Sequence, residues 1–383
     1  MMHLSVVLLI ALLVSCATPP QGPPTREQAA EALERASRFF HDEVSTNGGY
    51  HFQYTSDLSF GRSEQAQGPT QISVQRAGTP RVGMALLEAY QATGAAYLLE
   101  FAVDAARALV QGQRCTGGWD YIIEFDPAQR EEYAYRADAP CEDGQWGVGY
   151  TTLDDNVSQA AMRLLMRVDR ELDFKDESIH SAVEFGLGRL MQAQYENGAW
   201  PQRYSTLPHE GSYPPMRASY PDDWSREWPD EHYRGFYTLN DNTLADLIDM
   251  FLEAGRIYDE PRYVDAAKRG GNFLLNAQLP DPQPAWAQQY NHQMQPVWAR
   301  QFEPPSITGG ESLSALKILL TLYRETGERK YLDPLSRAIE YLKASSLPDD
   351  PNAPRRRLRT CPPPDRCLAR FYELETNRPL FIT

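Results

Sequence analysis

The feature that most limits what this chain can fold into is a recurring tail: a Gln, a Gly-containing turn, then a Trp. Gln113-Arg-Cys-Thr-Gly117-Gly-Trp119 and Gln194-Tyr-Glu-Asn-Gly198-Ala-Trp200 share Q-x3-G-x-W spacing, and Gln278 to Trp286 is a stretched version. Asn47-Gly48-Gly49-Tyr50 reads as the same turn with Tyr for Trp. The tails follow paired runs of apolar residues at helical spacing: 80–92 with 95–113, 156–172 with 176–194, and 242–257 with 261–278. A fourth pair is 311–326 with 330–345, and 25–44 is a single further run. Such spacing buries one face of a helix, and a repeated pair marks stacked units. The prediction is an all-α fold of helical hairpins, stacked as a solenoid or closed into an (α/α) toroid. In each tail the Gln is expected to bond free carbonyls at the helix end, the Gly to permit the reversal, and the ring to cover the gap between neighbouring hairpins.

The connections are uneven. Segments 45–79, 114–153, 200–240, 279–310 and 346–383 are long, and alternating hairpins bring them to one end. Long loops over a rigid helical base are the expected seat of function. The run from Trp286 to Ser312, WAQQYNHQMQPVWARQFEPPSITGGES, is the most demanding of them. It has no period for most of its length, and it sets Arg300 and Glu303 among aromatic rings.

With 383 residues and a formal net charge of -15, the chain has no use for duplex nucleic acid or an anionic membrane surface as partners. The first residues, MMHLSVVLLIALLVSC, form an apolar run too short to stay as a spanning helix. They end in Leu-Val-Ser-Cys16, the form of a bacterial lipoprotein signal, and a Pro-rich tether follows. The expected layout is a signal over 1–16, a tether over 17–25 and one toroid domain over 26–383. Cys16 is then lipidated, and an exported monomer is held at the cell envelope, in the periplasm or on the outer membrane, by that lipid alone. Ordinary secretion is the alternative. Four cysteines remain, Cys115, Cys141, Cys361 and Cys367, and an even count in an exported chain suggests disulfides. The local pairings are Cys115–Cys141 and Cys361–Cys367, with three connectivities open.

Two acidic pentads open equivalent helices: Thr152-Leu153-Asp154-Asp155-Asn156 and Thr238-Leu239-Asn240-Asp241-Asn242. N-capping accounts for one such residue per helix. Near-identical pentads on neighbouring starts also suit a hard cation such as Ca²⁺, which takes oxygen ligands. Arg203, Arg300, Arg370 and Arg378 all fall in the long loops. Singly, such residues stack or form ion pairs; together they suit carboxylates, because the guanidinium fork matches that group. Trp200, three residues before Arg203, has two readings, as filler between hairpins or as a substrate contact. Motifs of serine hydrolases, zinc proteases and nucleotide-binding loops are absent from the sequence.

The order TLDDN, NGAWPQRY, TLNDN, WARQFEPPSITGGES and LARFYELETNRPLF resembles polysaccharide lyase family ten, the pectate lyases with an (α/α) toroid-like fold, over roughly residues 75–383. The resemblance implies Ca²⁺-assisted β-elimination on polygalacturonate, an acidic polysaccharide. It implies Arg300 as the base, Asp154 and Asp241 as calcium-site acids with Asp155 and Asn240 beside them, and Arg370 as a binder of substrate carboxylate. Arg203, Trp200, Asn240 and Arg378 are further candidate substrate contacts. Family members commonly carry Asn where Asp155 stands. The long 205–236 loop, rich in Tyr, Trp and Pro, points to a cleft that takes more than plain pectate. Two other readings compete. One is a non-catalytic pectin-binding lipoprotein, which the short C-terminus favours. The other is a glycoside hydrolase or cyclase on the same toroid.

Overall fold

The computed structural model describes residues 22–59, 61–63, 66–141, 149–208, 211–347 and 367–381. The chain divides into two compact units, Met1–Glu43 and Val44–Thr383. In the first, α1 (Arg26–Phe39) is opened by a capping box in which Thr25 and Gln28 satisfy each other's backbone amides.

Among the described residues, the second unit contains four helical hairpins. They are α2 (Thr79–Thr93) with α3 (Ala96–Gln111), α5 (Val157–Glu171) with α6 (Glu177–Gln192), α7 (Thr243–Tyr258) with α8 (Pro261–Ala277), and α9 (Gly309–Thr326) with α10 (Leu335–Ala344); α4 (Pro127–Arg130) is a single turn. The first helices α2, α5, α7 and α9 lie side by side in that order, each packed on its own second helix. The predicted bounds agree within a few residues except in the last hairpin. There a 3-10 segment (Arg329–Leu332) precedes α10, and Pro334 stands immediately before the helix, where proline is tolerated.

The short strands have no sequence period and were not predicted, yet they define the repeat. A small sheet of β1 (Gln53–Tyr54), β2 (Gly61–Arg62) and β3 (Ala66–Gln67) precedes the first hairpin. Each hairpin is then bracketed by an antiparallel pair: β4 (Gln71–Ser73) with β5 (Ile122–Glu124), β6 (Thr151–Thr152) with β7 (Arg203–Tyr204), β8 (Tyr237–Thr238) with β9 (Gln289–Tyr290), and β10 (Ile307–Thr308) with β11 (Phe371–Tyr372). β12 (Pro379–Leu380) adds to β11. A strand thus enters each first helix, and the strand after the tail returns beside it.

The tails explain this closure. Trp119, Trp200 and Trp286 expose none of their surface. Their indole N–H groups donate to Leu109, Leu190 and Leu274 carbonyls near the ends of the preceding helices, each at 2.8 Å. The ring nitrogen therefore does the work expected of the Gln. The Gln amide instead ties two units together. Gln113 donates to its own turn at Gly117 and to Ala182 of α6, Gln194 to Gly198 and to Ala266 of α8, and Gln278 to Pro284 and to Pro334 before α10. Gly117 and Gly198 sit at φ +100° and +93°, and a Cβ on either would lie 2.3 Å from Arg189 Cβ or 2.1 Å from the Arg269 carbonyl. Only glycine lets the turn approach the next helix so closely.

Candidate active site

Both acidic pentads use the same irregular backbone. Asp155 and Asn156 have φ 53° and 59°, and Asp241 and Asn242 have φ 48° and 64°. Two consecutive left-handed residues cost on the order of 1–3 kcal/mol each, and Asp and Asn tolerate this region best among residues with side chains. Neither α5 nor α7 receives a side-chain cap from the residue before it. N-capping therefore does not account for the acids. Instead they turn toward one another. Oxygens of Asp154, Asp155 and Asp241 all lie within 4.8 Å of each other. Asp154 is buried, Asp155 half-buried and Asp241 exposed.

Polar neighbours fix this cluster. Asn240 donates to Asp154 at 3.2 Å and to Asp241 at 2.7 Å, Gln202 to Asp154 at 2.9 Å, and the Tyr121 hydroxyl to Asp155 at 2.9 Å. Burial, then repulsion from Asp155 and Asp241, pushes the Asp154 carboxyl up to about 6, against the pull of Arg300 and Arg203. Asp241 is shifted up by partial burial of its carboxyl and by Asp155. Carboxylates crowded this way ionise fully only beside positive charge. The donor set fits a hard divalent cation. It offers three carboxylates, and Asn240 Oδ1 is buried with no hydrogen-bond partner.

The positive side of the site is organised by Glu303, 2 % exposed. Arg300 grips it with Nε at 2.7 Å and with Nη2, and the Arg300 backbone N–H donates to it at 3.1 Å. Arg370 Nη2 adds a bond at 3.2 Å. Burial alone would raise Glu303; the Arg300 bonds and charge, with help from Gln288, outweigh it and hold the carboxyl down. In return the Glu303 bonds push Arg300 above its already high value, outweighing burial, and Asp154 adds to the shift. Two indoles brace the loop: Trp228 donates to the Ala299 carbonyl at 2.9 Å, and Trp298 to Ser225 at 2.8 Å. β6 pairs with β7 in the register Thr152↔Arg203, which sets Arg203 beside the Asp154 helix start. Its guanidinium lies 4.9 Å from the Tyr121 ring centroid and donates to the Tyr121 hydroxyl.

The family model for pectic acid lyase matches residues 113–383. The chain belongs to the pectic acid lyase family. It is a polysaccharide lyase, and its (α/α) toroid has solved counterparts. An aspartate-to-alanine variant of a family 10 polysaccharide lyase from Cellvibrio cellulosa, in complex with trigalacturonic acid, is 21% identical, with a TM-score of 0.51 over 71% of this chain and 78% of that one. The unmutated family 10 lyase from Cellvibrio cellulosa gives the same figures. A D-mannose isomerase matches the fold at 13% identity, TM-score 0.50, over 86% of this chain and 73% of that one. No curated protein matches the chain.

Within the lyase, Asp154, Asp155, Asp241, Arg300, Arg370 and Arg203 converge on one face. Three expected substrate contacts are placed otherwise. Trp200 is fully buried, stacked on Phe251 at 5.7 Å, and has no surface to offer a sugar. Asn240 is 1 % exposed and spends its amide N–H bonds on Asp154 and Asp241, so it positions carboxylates. Arg378 is exposed immediately before β12, with no side-chain partner among the described residues. Cys115 and Cys141 form a disulfide, and Cys367 is disulfide-bonded. Cys361 and Cys16 lie outside the described residues. Sequence reasoning missed Tyr121, Gln202 and Gln288, although a signal exists. Each stands two residues after a tail Trp, and each serves an acid of the site.

Proposed function

We propose that this lyase is an exported, Ca²⁺-dependent pectate lyase that cleaves polygalacturonate by β-elimination and leaves unsaturated oligogalacturonates. The observation that carries the reading is the convergence of three carboxylates, drawn from two helix starts, opposite an arginine pair held by one buried glutamate. Asp154, Asp155 and Asp241 would hold calcium. Bound there, the ion would draw charge from the uronate carboxylate and acidify the proton at C5. Arg370 and Arg203 bind substrate carboxylates. Arg300 takes the C5 proton, the electron pair forms the C4–C5 double bond, and the C4–O bond breaks, its oxygen taking a proton from solvent.

A neutral guanidine is the demanding part of this scheme, since Glu303 and Asp154 both stabilise the cation. Neutralising Asp154 removes one of those charges, so occupancy of the acidic cluster and basicity of Arg300 are linked. Alkaline pH helps in the same direction. Purified protein is incubated with polygalacturonate at alkaline pH, with calcium or with EDTA, and absorbance of the unsaturated product is followed. Growth that needs calcium and disappears in Arg300→Ala is expected. New reducing ends without unsaturated product would replace the reading with hydrolysis.

Export and lipid anchoring at Cys16 belong to the same proposal and rest on the N-terminal sequence. Metabolic labelling with palmitate should mark the parent and not Cys16→Ser; equal labelling of both would remove the anchor.

A further inference from the structure

The acidic cluster lies between the starts of α5 and α7. On the other side of the α5 start, toward α2, is a second concavity. This cavity of about 450 Å³ is lined by Arg76, Pro80, Arg81 and Met84 from the α2 side, by Asn156 just before α5 and by Arg163 within it. Its volume is in the range of small-ligand sites. Asn156 is the residue immediately after Asp155, so one wall of the cavity is the outer side of the same pentad turn.

The three arginines there differ. Arg163 is committed to Asp249 and Glu253. Arg76 and Arg81 are exposed and have no ion pair among the described residues. Arg76 lies near enough to Asp246 to act on its carboxyl, but no hydrogen bond joins them. Two guanidiniums without an ion pair among the described residues, beside apolar Pro80 and Met84, suit a sugar that carries a carboxylate. The family match begins at residue 113, so α2 and both free arginines stand outside it.

We infer that this cavity is a subsite for a distal uronate of the bound polysaccharide, with Arg76 and Arg81 gripping its carboxylate. The inference rests on the proposed polygalacturonate specificity. It makes the groove run from the Glu303 arginines, across the acidic cluster, to the start of α2. A short oligomer fills the centre only, and a longer one also reaches α2.

The test uses the full chain carrying Arg300→Ala, so that ligand is not cleaved, with calcium present. Calorimetric titration compares trigalacturonate with hexagalacturonate, before and after adding Arg76→Gln and Arg81→Gln. The parent is expected to bind the hexamer about tenfold more tightly than the trimer, an increment that one good charged contact provides. The double substitution should erase that gain and leave trimer binding unchanged. A fully methyl-esterified hexamer should show no gain on the parent. Both arginines are exposed and without an ion pair among the described residues, and an unchanged circular dichroism melt confirms that folding is intact. If the trimer binds normally but the hexamer gain is missing from the parent, survives the double substitution or survives esterification, the subsite is wrong and the polygalacturonate reading stands. If neither oligomer binds the parent, the specificity itself fails and takes the subsite with it.

Discussion

Helices α5 and α7 begin on the same backbone and then carry opposite charges. Counted from the pentad, Arg163 and Asp249 occupy the same position, as do Arg167 and Glu253. These equivalent residues pair across the interface. Arg163 reaches Asp249 at 2.8 Å and Glu253 as well, and Arg167 reaches Glu253. At the helix starts the difference is subtler. Asp154 in one pentad is matched by Asn240 in the other, and the amide donates to the carboxylate. A repeat with identical copies would bury two acids face to face and line two helices with like charge. Divergence at a handful of positions turns a structural repeat into a complementary pair, with the acidic cluster at its head.

The largest expected effect probes the two starts. Asp154→Asn, at the buried position, should lower the elimination rate by about 10³-fold, the size of losing one well-placed charge at a transition state. Asp241→Asn, at the exposed position, should lower it by about 10–100-fold. Initial rates under saturating calcium measure both, and equal losses would mean that burial does not distinguish the two starts.

The second effect concerns the charges farther along. Arg163→Met leaves Asp249 without its partner and Glu253, whose side chain is 9% exposed, with one arginine fewer. A loss of about 3 kcal/mol in urea unfolding is expected, because breaking a partly buried pair strands the survivor. A change under about 1 kcal/mol would show the pair to be solvated and the α5–α7 complementarity incidental.

The smallest effect tests a mismatch near the helix starts. Asp246 of α7 stands opposite Ala160 in the count, and burial pushes its carboxyl up to about 6 in spite of Arg163 and Arg76. Its ordinary value is 3.8, so between 3.8 and about 6 the folded chain holds the proton more tightly than the unfolded one. Stability therefore falls as pH rises through that window, and the penalty persists above it. Asp246→Asn should melt higher than the parent at pH 8 and equally at pH 3.5. A gain that persists unchanged at the acidic end would rule out titration as the cause.

The helices were legible because their apolar spacing is long and regular; seven of the eight hairpin helices fall where the periodicity puts them. The paired strands were not, since two residues carry no period. The pentads stood out by repetition, but their purpose did not. An Asp before a helix reads as a cap, and only the left-handed backbone at Asp155 and Asp241 turns it elsewhere. Trp200 misled because a Trp beside an arginine suits sugar stacking equally well, and burial alone separates the cases. Glu303 was visible as an acid in an aromatic loop. That it holds two arginines at once depends on Arg370, 67 positions away, which no local spacing reveals.

The glutamine bridges have a consequence for assembly. Gln113, Gln194 and Gln278 each reach forward from the end of one unit, the first two to the second helix of the next and Gln278 to Pro334 just before it. As the chain leaves the ribosome, each of the first three hairpins emerges with this fastener open and closes it only when the following unit arrives. Damage runs the other way. Removing the last hairpin would unlatch the third, and the fault would travel toward the N-terminus through nearest-neighbour couplings, as in a one-dimensional array. The acidic cluster, shared between the second and third units, is thus guarded from behind by a unit that supplies none of its carboxylates.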